Sequence, residues 1–256
     1  MVVVALAGLA MTPVARAKVQ TKEIEYRQGE TPLKGFLAYD DAVEGKRPGV
    51  LVIHEWWGLN QFARDQAVRL AQAGYVAFAA DMYGSGKQAQ HPEDAQKFMQ
   101  EANKDPATLE ARFDAAEALL KSQPQVDGSR IAAIGFCFGG GVALSMARAG
   151  KDLVAVGTFH AAIPKPAAIK NPVKSSILIQ TGGSDPMVAP GDMKKFAKDL
   201  EAAGAKVEVV VFPAAKHSFT VPDADKAGMG ALHYDADAAR KSWANLLEFF
   251  KQTLKA

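Results

Sequence analysis

The stretch RIAAIGFCFGGGVALSMA, residues 130–147, sets Cys137 in a Gly-x-Cys-x-Gly turn between an apolar run and a small-residue helix. Strand, Gly-x-nucleophile-x-Gly and helix together make the pattern of a nucleophile elbow. Gly135 and Gly139 lack a Cβ, so strand and helix can approach closely, and the central side chain is pushed outward. The helix start aims free amides at that side chain, which favours a thiolate and an oxyanion alike. An acid and a histidine follow in the order such sites use: Asp185 in TGGSDPMV, then His217 in FPAAKHSF. His217 is the expected base for the thiol proton, and Asp185 the group that orients the imidazole and stabilises its cation. His160, ending the run VAVGTFH, is the rival base and otherwise a pocket residue. The competing reading of Cys137 is a buried small hydrophobe, the usual fate of a lone cysteine. Asp185 alone suits a turn or helix cap equally well, and His217 alone a surface loop.

For these residues to meet, the elements that carry them must end at one edge. KEIEYR and LKGFLAYD read as strands joined by a turn, and PGVLVIHE as a strand buried on both faces. From there strands (YVAFAAD, RIAAIGF, DLVAVGTFH, SSILIQTG, KVEVVVFP) alternate with helical stretches opened by Pro92, Pro106 and Pro190 or closed by Gly74 and Gly150. A long terminal helix follows Asp235. This rhythm predicts an α/β fold, doubly wound on a mostly parallel sheet, with antiparallel first strands and helices on both faces. Ligands in such folds sit beyond the carboxyl ends of the strands. There the chain places Glu55, Trp56 and Trp57, then Asp81 and Tyr83, then Cys137, His160, Asp185 and His217. The oxyanion hole is expected from the backbone N–H groups of Phe138 and Trp56. The pocket is expected from Trp57, Tyr83, His160 and Phe219. TVPDADKAGMGALHYDAD reads as a long mobile loop beside His217.

The motifs VIHEWWGLN, ADMYG, GFCFGG, TGGSDPMV and KHSF, with the ending YDADAARKSWANLLEFF, resemble the dienelactone hydrolase family, a branch of the α/β-hydrolases. The resemblance implies the α/β-hydrolase fold, ester or lactone hydrolysis, and a Cys137–His217–Asp185 triad. It also implies a role for Glu55: a carboxylate that contacts the resting thiol and helps it ionise when substrate displaces that contact. Family members that open dienelactones hold the substrate carboxylate with arginines near the site. The matching stretches here are MYGSGKQ, with Lys87, and Thr220-Val221-Pro222. The expected substrate is therefore a small ester or lactone without a required anionic group.

Composition narrows the alternatives. The chain has 256 residues, 48% hydrophobic and 23% charged, with a net charge of +2, which implies no polyanion partner and no nucleic-acid arm. One cysteine leaves no disulfide framework, no cysteine-type zinc site and no resolving thiol for a redox sensor. The histidines lack metal-ligand spacing, and GFCFGGG is neither a phosphate loop nor a dinucleotide fingerprint, so neither metal nor cofactor is expected. Residues 1–17 carry an apolar stretch of about a dozen residues closed by Ala15-Arg16-Ala17, which predicts a cleaved signal peptide and a secreted or periplasmic protein. The stretch is too short for a membrane span. Residues 18–256 show no linker or repeat and read as one domain, expected to act as a monomer. The alternative function is a secreted small-molecule-binding protein on an inactive hydrolase fold.

Overall fold

The computed structural model describes residues 19–169 and 171–255. The signal peptide expected over residues 1–17 lies outside them. Eight strands among the described residues form one sheet: β1 (Val19–Gln28), β2 (Thr31–Asp40), β3 (Arg47–Ile53), β4 (Val76–Ala80), β5 (Val126–Phe136), β6 (Ala155–Phe159), β7 (Ser176–Gly182) and β8 (Lys206–Phe212). Their order across the sheet is β1-β2-β4-β3-β5-β6-β7-β8. β1 pairs with β2 and β2 with β4 antiparallel; every later pairing is parallel. The first two strands are antiparallel because a tight turn joins them, whereas each later pair is joined by a crossover.

The central strands β3, β4 and β6 are buried along their whole length, as their uninterrupted apolar runs require. Edge strand β1 instead exposes Lys22, Glu23 and Glu25, charges that discourage pairing with another chain. Alternate residues of β3 point to opposite cores. Leu51 and Ile53 join the core under α3 (Pro106–Lys121), α4 (Phe138–Arg148) and α5 (Pro190–Ala202), while Val50 and Val52 join the one under α1 (Gln61–Gln72) and α6 (Ala236–Thr253). α2 (Pro92–Lys104) packs outside α3 and buries only Ala95 completely.

Helix starts follow local chemistry. The Asn60 side chain accepts from the Ala63 amide, Asp105 from Thr108 and Asp235 from Asp237 and Ala238, each satisfying amides the first turn leaves free. Pro92, Pro106 and Pro190 stand at the first helical position, where no amide is needed. β6 begins at Ala155, three residues after the start the apolar run suggests, because the Leu153 amide bonds back to Lys151 in a turn before the Val154 amide reaches Ile131 of β5.

The segment after His217 is tied down along its length. It contains a short 3₁₀ turn, Ala224–Ala227. The His233 amide donates to the His217 carbonyl at 3.0 Å, the Asp235 amide to Phe219 at 3.1 Å and the Lys216 ammonium to the Gly230 carbonyl at 3.0 Å. His233 Nδ1 also meets Asp225 Oδ1 at 2.7 Å. No helix of the described residues is long and apolar enough to cross a membrane.

Candidate active site

β5 ends at Phe136, α4 begins at Phe138, and the single residue between them is Cys137, at φ 51° and ψ −118°. A positive φ is costly for a residue with a side chain, so the surroundings must hold it. They do so through the Cys137 backbone. Its amide donates to the Phe159 carbonyl at 3.1 Å, and its carbonyl accepts from Ala162 at 2.9 Å and Gly141 at 3.2 Å. The turn is tight enough that a Cβ on Gly135 would lie 2.2 Å from the Gly139 carbonyl oxygen, and one on Gly139 would lie 2.3 Å from that of Ile53. Both glycines are thus required by contact with backbone.

The turn raises Cys137 Sγ to 3.1 Å from His217 Nε2, and His217 Nδ1 lies 2.7 Å from Asp185 Oδ2. Three groups separated by 48 and 32 residues form one hydrogen-bonded chain. Asp185 is fixed in turn: its Oδ1 accepts from the Met187 and Val188 amides at 2.8 and 3.2 Å, leaving Oδ2 for the imidazole. Its loop is pressed onto the segment leading to His217, since a Cβ on Gly182 would lie 2.4 Å from the Ala215 carbonyl oxygen. Burial alone would lower the His217 imidazolium. The neighbouring Cys137 sulfur and the Asp185 carboxylate overcome this and raise it to about 10.

Glu55 follows β3 and is buried, with Oε1 accepting from Ser218 Oγ at 3.0 Å. Desolvation pushes its carboxyl up to about 7, against the opposing pull of His217 and Ser218. In this structure the thiol faces His217 and the glutamate faces Ser218, rather than each other. The fold therefore prefers Glu55 as a neutral acid between its usual pKa of 4.5 and about 7. Within that window the folded chain holds more protons than the unfolded one, so this residue's contribution to stability falls as pH rises and is gone above 7. Glu55→Gln, which cannot ionise, is expected to match the parent near pH 4.5 and to exceed it above pH 7 by on the order of 3 kcal/mol. Urea midpoints at about pH 5 and about pH 8 read the difference. Parallel pH profiles for the two proteins would contradict it.

The Phe138 and Trp56 amides, expected to form the oxyanion hole, have no hydrogen-bond acceptor among the described residues. Tyr83 is buried and donates its hydroxyl to the Trp56 carbonyl at 2.8 Å, so it holds that loop from behind. Trp57 is half-buried and packs edge-on against Trp56. His160 is buried next to His217, with ring centres 5.3 Å apart, and its Nε2 lies 2.8 Å from Thr220 Oγ1. Phe219 is fully buried and packs behind His160 against Phe212, which sets it in the wall supporting His160. Lys87 lines a crevice of about 120 Å³ beside Tyr83, together with Glu101, Asp105 and Arg112.

Three supports read in the sequence only as neighbours of the site, His54 and Asp81 at strand ends and Ser218 beside the imidazole, without their partners. Ser218 holds Glu55 from a left-handed backbone at φ 54°. His54 accepts from the Met82 amide on Nε2, which leaves Nδ1 to donate to the Glu55 carbonyl. Asp81 accepts four amides, from Lys34, Tyr83, Gly84 and Gly86, and so shapes the loop after β4.

An eight-stranded, mostly parallel sheet, with a nucleophile elbow after β5 and an acid and a histidine after β7 and β8, defines an α/β-hydrolase. Within that class the chain belongs to the dienelactone hydrolase family, whose model matches residues 33–254. It is 30% identical over 238 residues to the Aquifex pyrophilus protein usf, covering 90% of this chain and 98% of that one. Among solved structures it is similar to a dienelactone hydrolase-like promiscuous phosphotriesterase from metagenomic libraries. That likeness has a TM-score of 0.88 and 37% identity, over 93% of this chain and 99% of the other. The dienelactone hydrolase of Anabaena variabilis shares the fold at a TM-score of 0.64 and 22% identity, over 92% and 98% of the two chains. The protein is a dienelactone hydrolase-like hydrolase.

Proposed function

We propose that this hydrolase cleaves carboxylic esters and lactones of small molecules through a Cys137 thioester. The observation that carries the proposal is the unbroken chain from Asp185 through His217 to Cys137 Sγ, at 2.7 and 3.1 Å, beside two unpaired amides. His217 Nε2 takes the thiol proton as Sγ attacks the carbonyl carbon. The carbonyl oxygen, now negative, is stabilised by the Phe138 and Trp56 N–H groups. The tetrahedral adduct collapses, the C–O bond breaks, and the imidazolium returns its proton to the leaving alkoxide. Water then gives a proton to His217 and attacks the thioester. The released thiolate recovers that proton from the imidazolium.

The surroundings support a substrate without an obligatory anionic group. The crevice beside Tyr83 sets Lys87 and Arg112 against Glu101 and Asp105, so its charges balance. Thr220 is engaged with His160, while Val221 and Pro222 line the groove between α1 and α6. The stretch after β4 offers one cation, Lys87, over the Phe98 ring in a crevice it shares with two carboxylates, and Thr220 to Pro222 offers none.

Iodoacetamide is expected to modify Cys137 once per chain and to abolish hydrolysis of an aryl acetate in step with labelling. Full activity in fully labelled protein would remove the nucleophile from this scheme. A folded chain that binds an aryl ester and never turns it over would favour the binding-protein alternative. The aryl ester panel should include a neutral aryl phosphotriester, because the metagenomic relative is named for that reaction.

A further inference from the structure

Two buried polar atoms near the nucleophile, Glu55 Oε2 and His160 Nδ1, lack a hydrogen bond among the described residues. The other oxygen of the same carboxyl group, Oε1, accepts from Ser218 and lies 3.8 Å from His160 Nδ1. The residues are 2% and 0% exposed. An unsatisfied buried polar group is costly, and two on neighbouring side chains call for an explanation. The gap is about 1 Å longer than a hydrogen bond, and the terminal torsion of a glutamate is broad enough to close it. On the other side of the ring, Nε2 lies 2.8 Å from Thr220 Oγ1. Thr220 is half-buried and lines a groove of about 810 Å³ between α1 and α6. His160 has φ 39°, an uncommon backbone for a side chain of its size, although histidine is among the residues that tolerate it. Its ring is wedged among Phe136, Phe219 and His217.

We propose that His160 and Thr220 are positioning residues that form a proton relay, fixing whether Glu55 faces the nucleophile as acid or as carboxylate and opening to solvent at the α1–α6 groove. The chain of atoms is Glu55 Oε, His160 Nδ1, His160 Nε2, Thr220 Oγ1, groove water. With Glu55 protonated, its O–H donates to Nδ1, and Nε2–H donates to Thr220. Ionisation moves the Glu55 proton to Nδ1, the Nε2 proton to Oγ1 and the Thr220 hydroxyl proton to groove water. One proton leaves, the ring changes tautomer without becoming charged, and Nδ1–H now supports the carboxylate. A neutral ring suits this role: burial, with the His217 charge beside it, holds the His160 imidazolium well below the usual histidine range. The other groups facing Glu55 are His217 and Ser218 from the segment after β8, and Tyr83 from the loop after β4. None of these leads to the groove through a hydrogen-bonded chain among the described residues.

The inference rests on the nucleophile assignment above, but its test does not require ester turnover. The rate of Cys137 alkylation by iodoacetamide is followed against pH in the full chain, and the parent profile is expected to inflect near pH 7. Thr220→Val keeps the shape and removes the Nε2 acceptor. A buried orphan N–H is rarer than an orphan acceptor, so the variant favours the Nδ1–H tautomer and the carboxylate. The inflection is expected to move down by about one pH unit, and Thr220→Ser to restore it. ¹⁵N spectra of histidine-labelled parent protein should show the His160 proton passing from Nε2 to Nδ1 over the same pH range. An inflection that stays fixed or moves upward, a parent profile without one, or a single His160 tautomer throughout would overturn the relay. A shifted inflection in a protein that hydrolyses no ester would leave the relay standing and remove the proposed function instead.

Discussion

Cys137→Ala is expected to lower kcat for an aryl ester by about a thousandfold or more, with little change in melting temperature. The side chain is small and sits in a turn held by its own backbone bonds, so its loss removes the proposed nucleophile and leaves the scaffold. His217→Ala is expected to cost a comparable factor, because in the proposed scheme Nε2, 3.1 Å from the sulfur, handles the proton in both half-reactions. The two losses should not multiply. Once sulfur is absent, the imidazole has nothing to activate, so the double variant should fall no further than the worse single one. Steady-state kinetics of the three variants measure this. Multiplying losses would mean that sulfur and imidazole act in separate steps, and an unimpaired Cys137→Ala would end the covalent scheme.

The second large effect concerns folding. Gly139→Ala is expected to abolish the stable fold or cost more than about 4 kcal/mol. The added carbon would lie 2.3 Å from the Ile53 carbonyl oxygen and 2.5 Å from that of His54. Those atoms belong to β3 and its end, and β3 is held between β4 and β5, so they cannot retreat. Gly128→Ala is the control: its new carbon meets nothing nearer than the Lys121 Cγ at 3.7 Å, an ordinary contact. Soluble yield and thermal unfolding of the pair measure the effect. Equal stability would mean that α4 can shift away from β3, and that the tight elbow is not needed for folding.

These two substitutions probe what the sequence makes most legible. The elbow is local: its glycines, strand and helix are contiguous, and each has a physical requirement visible in residue type. The strand ends are legible too, because apolar runs stop at polar residues, and the parallel rhythm sends those ends to one edge. The supporting shell is less legible, because it depends on which side chains meet across loops. Phe219 stands two residues from His217 and reads as a pocket residue. The left-handed turn at Ser218 carries it behind His160 into the core. Thr220 reads only as a place without an arginine, yet it is the partner of a buried histidine 60 residues earlier. The four amides gathered by Asp81 are likewise invisible in one dimension, since Lys34 precedes it by 47 residues.

That gathering separates shape from recognition in the loop after β4. Its path is set by one carboxylate and by the turns at Gly84 and Gly86, while Lys87 sends its side chain into the crevice. Exchanging the residue at 87 therefore alters what the protein meets without rewriting how the strand end is built. Descendants of this scaffold can change that crevice by single steps, each starting from a folded parent.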